Sequence, residues 1–182
     1  MLCVCWTGIR QKAENVPDPP GTRLRFGVQK HWARSLHYDL RLEIGDRLVS
    51  WAVPKGPSKD PTVKRLAVRV PDHPIDYLLF EGTLPESEYG AGEVIVWDHG
   101  EYGVVGSPET DAAAALKNGT IRMVLHGTKL RGQWAIFLTR IGKGKGENWL
   151  LEKIEDEFSV AGYDPETEPQ SALSGKVPRV RR

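Results

Sequence analysis

The stretch that most restricts the fold is 36–43, where Leu36, Tyr38, Leu40 and Leu42 alternate strictly with His37, Asp39, Arg41 and Glu43. A period of two is the pattern of a strand with one face on a core, and a helix does not sustain it. The polar face is chemically loaded. His37 and Asp39, two residues apart on that face, can converge on one cation, and His31 just upstream offers a third ligand. Arg41 continues the row. The plain alternative is an amphipathic strand whose charged face is simply solvated. Three features favour a site: two of the five histidines fall within seven residues, the carboxylate is in register with one of them, and an arginine follows. A cation and a guanidinium on one face suit an anionic phosphate or carboxylate ligand.

Similar short alternating runs recur along the chain. Leu24, Phe26 and Val28 alternate with Arg25, Gly27 and Gln29, and further strands are expected at 47–53, 65–70, 94–97, 120–125, 129–139 and 148–153. A turn at 44–46 makes 36–43 and 47–53 an antiparallel hairpin. Only 110–118, with four alanines and an Asn118-Gly119 stop, predicts a helix. Many short strands, hairpin turns and one minor helix predict a mainly β protein, a closed or nearly closed antiparallel β-barrel. The loaded face of 36–43 then has to open on a crevice or mouth, because four polar side chains cannot be sealed in a small core without partners.

Length suits one domain. Residues 1–21 end in a proline-rich run and read as a flexible N-terminal segment, 22–160 as the barrel, and 161–182 as a disordered C-terminal tail. Cys3 and Cys5 are badly spaced to bridge each other and read as incidental residues of a mobile terminus. Residues 142–146, three glycines around two lysines, read as a flexible basic hairpin tip. No run approaches the roughly 18 apolar residues of a membrane span, and the apolar opening lacks a basic lead-in. The expected location is cytoplasmic, with no membrane partner.

Net charge is only +1 but unevenly spread: residues 22–70 carry 11 Lys/Arg against 4 Asp/Glu, and 71–120 carry 1 against 10. A local basic region on a nearly neutral chain suits a strand end or a single phosphate better than a long nucleic-acid groove. Lys55 is displayed by a turn bracketed by Pro54 and Pro57, where a plain solvated loop fits equally well. Arg65 and Arg69 share one face of 65–70, opposite Leu66, Val68 and Val70, so Arg65 offers a second guanidinium. His73 precedes Pro74, which holds it in extended backbone, with Asp72 adjacent and Tyr77 four residues on; that setting makes it a candidate for proton transfer. Gly90 and Gly92 precede a strand, so they form a bend and not a phosphate loop.

Taken together, His31, residues 36–43, Ser50-Trp51-Ala52-Val53-Pro54-Lys55-Gly56-Pro57-Ser58, Lys64-Arg65-Leu66-Ala67-Val68, Asp72-His73-Pro74 with Tyr77, Phe80-Glu81-Gly82 and Glu88-Tyr89-Gly90-Ala91-Gly92 carry a resemblance. The chain, from about Phe26 to Phe158, resembles the 3′-phosphoesterase domain associated with bacterial DNA ligase D, which also occurs free-standing. The resemblance implies a metal-dependent β-barrel enzyme, manganese being the favoured ion, that heals 3′ ends in double-strand-break repair by end joining. It would remove a 3′-terminal ribonucleotide and then the 3′-phosphate, leaving a 3′-hydroxyl. It implies His31, His37 and Asp39 as metal ligands, Arg41 and Arg65 as a phosphate clamp, and His73 as the group meeting the phosphate in the transition state, supported by Tyr77 and Lys55. The implied partners are DNA or RNA-containing 3′ ends of a primer-template. A separate DNA ligase, a polymerase and a Ku-type end-binding protein are implied too, since the chain has no room for polymerase and ligase modules. Pro71 and Ser87 depart from the family pattern beside these motifs.

The chemistry of the residues agrees with that implication. Phosphoryl transfer needs charge neutralised on non-bridging oxygens and a proton for the leaving oxygen, and His73 is the best-placed donor. A His/His/Asp set takes manganese, and also zinc or iron. Two rival readings remain open. The same triad fits a non-haem iron oxygenase, which leaves Lys55 and Arg65 without work, and a non-catalytic module that only holds DNA ends would bind without turnover.

Overall fold

The computed structural model describes residues 24–85, 90–106, 111–139 and 147–177. The readings for 1–21, Cys3, Cys5, Ser87 and the tip at 142–146 lie outside the described residues. The chain forms β1 (Leu24–Trp32), β2 (Leu36–Ile44), β3 (Arg47–Val53), β4 (Lys64–Pro74), β5 (Gly82–Leu84) and β6 (Gly92–Val104). Helix α1 (Ala112–Lys117) follows, then β7 (Thr120–Gly127), β8 (Arg131–Thr139) and β9 (Asn148–Lys153). Short 3-10 turns occupy Ile75–Leu79 and Pro165–Thr167. The strands pair in the order β1-β2-β3-β4-β9-β8-β7-β6, and β6 returns to β1. This is a closed eight-stranded antiparallel barrel, as the strand pattern predicts; β5 pairs with β6 outside the ring.

Period-two patterning decides what fills the barrel. Phe26, Val28, Tyr38, Leu40, Leu42, Trp51, Trp97, Trp134, Trp149 and Leu151 share the buried interior cluster. Trp51 and Trp149 meet edge-on with ring centroids 5.5 Å apart, the arrangement that sets a ring's positive edge against its partner's negative face. Helix α1 is shorter than the predicted 110–118. Asp111 caps its N-terminus by accepting from the Ala114 amide at 2.6 Å, and Asn118 and Gly119 end it, Gly119 at φ +72°. Among the described residues no helix is long and apolar enough to cross a membrane.

Two expectations change. Residues 161–177 do not behave as a disordered tail but lie against the barrel: the Trp97 indole N–H donates to the Glu168 carbonyl at 2.7 Å, Glu168 pairs with Lys59 at 2.8 Å, and Glu166 with Lys30 at 2.7 Å. Polar composition gave no sign of this because the anchors are carboxylates and carbonyls rather than apolar side chains. Strand β4 keeps the expected split, Arg65 and Arg69 opposite Leu66, Val68 and Val70, but its arginine face lies on the side away from Asp39. Across an antiparallel pair, residues directly opposite share a face. Asp39 faces Ala52, which faces Val68, whereas Arg65 faces Leu151 and Ala67 faces Trp149. Arg65 therefore lies on the interior side, and its Nε is buried without a hydrogen-bond partner.

Candidate active site

The middle of the polar face of β2 is buried like its apolar face. Asp39 is 7% exposed and Arg41 3%, which excludes a solvated amphipathic face. The site is not the barrel mouth but the outer wall of β1–β4, roofed by the 3-10 turn Ile75–Leu79 and by Gly90. The β1–β2 register sets His31 opposite His37 and Gln29 opposite Asp39. One ligand atom from each of His31, His37 and Asp39 lies within 4.8 Å of the others.

Both imidazoles are held by their far nitrogens. His31 Nε2 bonds the Gly90 carbonyl at 2.7 Å, and His37 Nδ1 bonds the Ser35 carbonyl at 3.0 Å. A ring nitrogen facing a carbonyl carries the proton, so His31 Nδ1 and His37 Nε2 are left as lone pairs. These are the atoms that face Asp39, each 3.6 Å from one of its carboxylate oxygens. Gly90 adopts φ +88°, a left-handed conformation that glycine reaches without strain, and this turns its carbonyl to His31. Burial alone would raise the Asp39 carboxyl, but the adjacent His31 imidazole and then the Arg41 guanidinium hold it below the ordinary carboxylate range. Two lone-pair nitrogens and an ionised carboxylate, oriented by backbone carbonyls, fit a divalent cation in both donor chemistry and support.

Arg41 is tied down on nearly every side. Its Nε donates to Gln29 Oε1 at 2.7 Å, Nη1 to Ser50 Oγ at 2.9 Å and to His73 Nδ1 at 2.9 Å, and Nη2 reaches Asp39 at 3.3 Å. Four of its five N–H donors are thus engaged, leaving one on Nη2, beside Asp39. Burial lowers the Arg41 guanidinium from its usual value while Asp39 opposes that shift.

His73 reaches this cluster through a β-bulge. Leu48 faces His73 and Ser50 faces Val70, so a single β3 residue stands opposite two on β4. The extra residue carries His73 to the Arg41 face. Its ring stacks on Tyr77 with centroids 5.0 Å apart, Tyr77 stacks on Phe80 at 4.9 Å, and the Arg41 guanidinium lies 5.1 Å from the Tyr77 ring. Because His73 Nδ1 accepts from Arg41, the neutral ring carries its proton on Nε2. Burial first, then the Arg41 charge, pushes His73 below the ordinary histidine value, against smaller pulls from Asp39, the Pro71 carbonyl and Asp72.

The structure thus gathers His31, His37, Asp39, Arg41, His73 and Tyr77. Lys55 sits exposed in the turn after β3, just beyond the Val53–Tyr38 pair that ends that strand's pairing with β2. Arg65 is not brought to the cluster. Two residues that sequence reasoning passed over are central: Gln29, which also donates to the Tyr77 and Phe80 carbonyls at 3.1 and 3.0 Å, and Ser50. Gln29 stands two residues before His31 and so shares its face, which was the available signal.

A family model described as the DNA Ligase D 3′-phosphoesterase domain matches residues 29–138. The chain belongs to that family. The multifunctional non-homologous end joining protein LigD of Pseudomonas aeruginosa is 48% identical over 172 residues, covering 88% of this chain and 20% of that protein. Its namesake in Mycolicibacterium smegmatis is 38% identical over 178 residues, 93% of this chain and 22% of the relative. The multifunctional non-homologous end joining DNA repair protein LigD of Mycobacterium tuberculosis is 39% identical over 155 residues, 80% of this chain and 19% of the relative. The chain therefore spans about a fifth of the length of the curated relatives it matches. All eight residues singled out from sequence lie inside the stretch matched by the 3′-phosphoesterase family; Glu166, the partner of Lys30, lies outside it.

Proposed function

We propose that this member of the 3′-phosphoesterase family is a metal-dependent hydrolase of nucleic-acid 3′ ends. It removes a 3′-terminal ribonucleotide and a 3′-phosphate to leave a 3′-hydroxyl, in double-strand-break repair by end joining. The observation that carries the reading is the convergence, on one buried face, of a His/His/Asp set with an arginine and a histidine whose outer nitrogen bears a proton. Its substrates are DNA or RNA-containing 3′ ends of a primer-template. A separate DNA ligase, a polymerase and a Ku-type end-binding protein are its proposed partners.

His31 Nδ1, His37 Nε2 and an Asp39 oxygen would hold the cation, manganese being the proposed ion. Such an ion supplies charge neutralisation on a phosphate oxygen and activation of a water. The remaining Nη2 donor of Arg41 faces the phosphate beside Asp39, so a single guanidinium does the work first assigned to two. His73 Nε2–H donates to the phosphate or the leaving oxygen, and Arg41 on Nδ1 keeps that proton on the outer nitrogen. Tyr77 holds the His73 ring by stacking. Lys55, on its exposed turn, meets the strand leading to the scissile phosphate.

The test is a duplex primer-template ending in one ribonucleotide or in a 3′-phosphate, incubated with and without Mn²⁺, with His37→Ala and His73→Ala alongside. Mn²⁺-dependent conversion to a 3′-hydroxyl, lost in both variants, is expected. No product with any divalent metal from folded protein overturns the assignment and favours an end-holding module; turnover requiring iron and oxygen favours an oxygenase.

A further inference from the structure

The two strands that carry His31, His37 and Asp39 are tied together from behind by one side chain outside the matched stretch. Lys30 and Tyr38 are a cross-strand pair on the inner face of β1 and β2. That pair lies between the two pairs that form the site, Gln29 with Asp39 and His31 with His37. Glu166, in the 3-10 turn Pro165–Thr167, takes both members of it. Its Oε1 accepts from the Tyr38 hydroxyl at 2.6 Å and its Oε2 from Lys30 Nζ at 2.7 Å. The Lys30 side chain is 1% exposed, so its ammonium depends on that carboxylate for a counter-charge. Asp164 fixes the turn by accepting from the Glu166 amide at 2.9 Å.

The same turn presses on the loop that displays Lys55. Gly56 has φ +67°, and a Cβ built there would lie 2.8 Å from Pro165 Cγ and 2.9 Å from the Tyr38 ring. The Lys55 turn, Tyr38 and Pro165 are therefore in close contact, with no room for a side chain between them.

We propose that Glu166 is a positioning residue for the metal centre: by bridging Lys30 and Tyr38 it fixes the separation of β1 and β2, and so the distance between His31 and the His37–Asp39 pair. The inference rests on the metal-site reading above. Changing the spacing of ligands by tenths of an ångström weakens a metal site without touching a ligand, as outer-sphere substitutions do. Glu166→Ala should weaken Mn²⁺ binding about tenfold, the lower end of what such support residues contribute.

The experiment titrates the intact chain with Mn²⁺, reads free ion by its electron paramagnetic resonance signal, and records thermal melting of the same samples without metal. Glu166→Ala is expected to lose about tenfold in affinity. Glu166→Gln keeps the acceptor for Tyr38 and should stay closer to wild type. If Glu166→Ala fails to fold, Lys30→Met with Glu166→Leu removes the buried ammonium together with its half-exposed carboxylate partner; the bridge is still gone, and affinity should still fall. An affinity within twofold of wild type in a folded variant overturns the proposal, even if melting temperature drops, because that outcome assigns Glu166 to stability alone. Wild-type protein that binds no Mn²⁺ is a different failure: it removes the metal-site reading itself.

Discussion

Gln29→Leu isolates the contacts that hold Arg41. Gln29 is fully buried and accepts from Arg41 Nε at 2.7 Å while donating to the Tyr77 and Phe80 carbonyls. Leucine matches its volume closely and removes all three bonds. A hydrogen bond to a charged group contributes about 1.5–3 kcal/mol, and the two amide–carbonyl bonds about 0.5–1.5 kcal/mol each. The carbonyls lie near the half-buried roof and recover some of their loss to water, so the sum is about 2–5 kcal/mol. Urea unfolding of metal-free protein reads this as a lower midpoint at unchanged slope. Gln29→Glu is the informative partner: it keeps an acceptor on Arg41 Nε but sets a carboxylate against two carbonyls, so it should release the roof while leaving Arg41 in place. Turnover should then fall in both variants, since the roof carries Tyr77 and Tyr77 stacks on His73. A Gln29→Leu protein within about 0.5 kcal/mol of wild type would refute this account of Arg41, because a buried guanidinium that loses its partner cannot be that cheap.

Three further outcomes are expected. His73 has its folded pKa depressed by burial and Arg41, so the folded state holds fewer protons than the unfolded one just below the unfolded value. Stability from this group is therefore present above about pH 6.5 and is lost as pH falls from there towards the folded pKa, and melting curves of wild type against His73→Gln should diverge over that window. Heteronuclear NMR of the imidazoles at pH 8 without metal should find His31 protonated on Nε2, His37 on Nδ1 and His73 on Nε2; the opposite tautomer at His31 or His37 would remove a ligand lone pair. Asp156→Ala removes the carboxylate paired with the Lys153 ammonium, whose side chain is 0% exposed, leaving it the Gln133 and Ile154 carbonyls, and should cost about 3–5 kcal/mol in chemical denaturation.

How much could be read from sequence follows the strength of local periodicity. β2 and β3 emerge almost residue for residue because their apolar sets face a core of large side chains and a one-residue slip would expose Tyr38, Leu40 and Trp51. The His31, His37 and Asp39 cluster follows from the same register. His73 does not: without the bulge opposite Leu48 and Ser50 it would share the interior face of Arg69, and nothing in a period-two pattern reveals where a residue is inserted. The side of the sheet that Arg65 takes is equally hidden, because the alternation of β4 does not say which face turns inward: Leu66 is 43% exposed and Ala67 is the buried one. Gln29 and Ser50 look like ordinary polar residues until Arg41 is seen between them. The C-terminal turn was unreadable because its hold on the barrel consists of single acceptors for Lys30, Tyr38, Lys59 and Trp97, contacts separated by as many as 136 positions in sequence. Buried lysines add to that difficulty: burial pushes Lys129 down to about 8, and its ammonium donates to the Glu168 and Gln170 carbonyls.

Pulsed electron paramagnetic resonance of Mn²⁺ bound to the intact chain, before and after adding inorganic phosphate, tests the central claim most directly. The account predicts nitrogen couplings from two imidazoles, one lost in His31→Ala and one in His37→Ala, and a phosphorus coupling that appears with phosphate and weakens in Arg41→Ala. Bound Mn²⁺ without imidazole nitrogens, or phosphate that never couples to the ion, would contradict it.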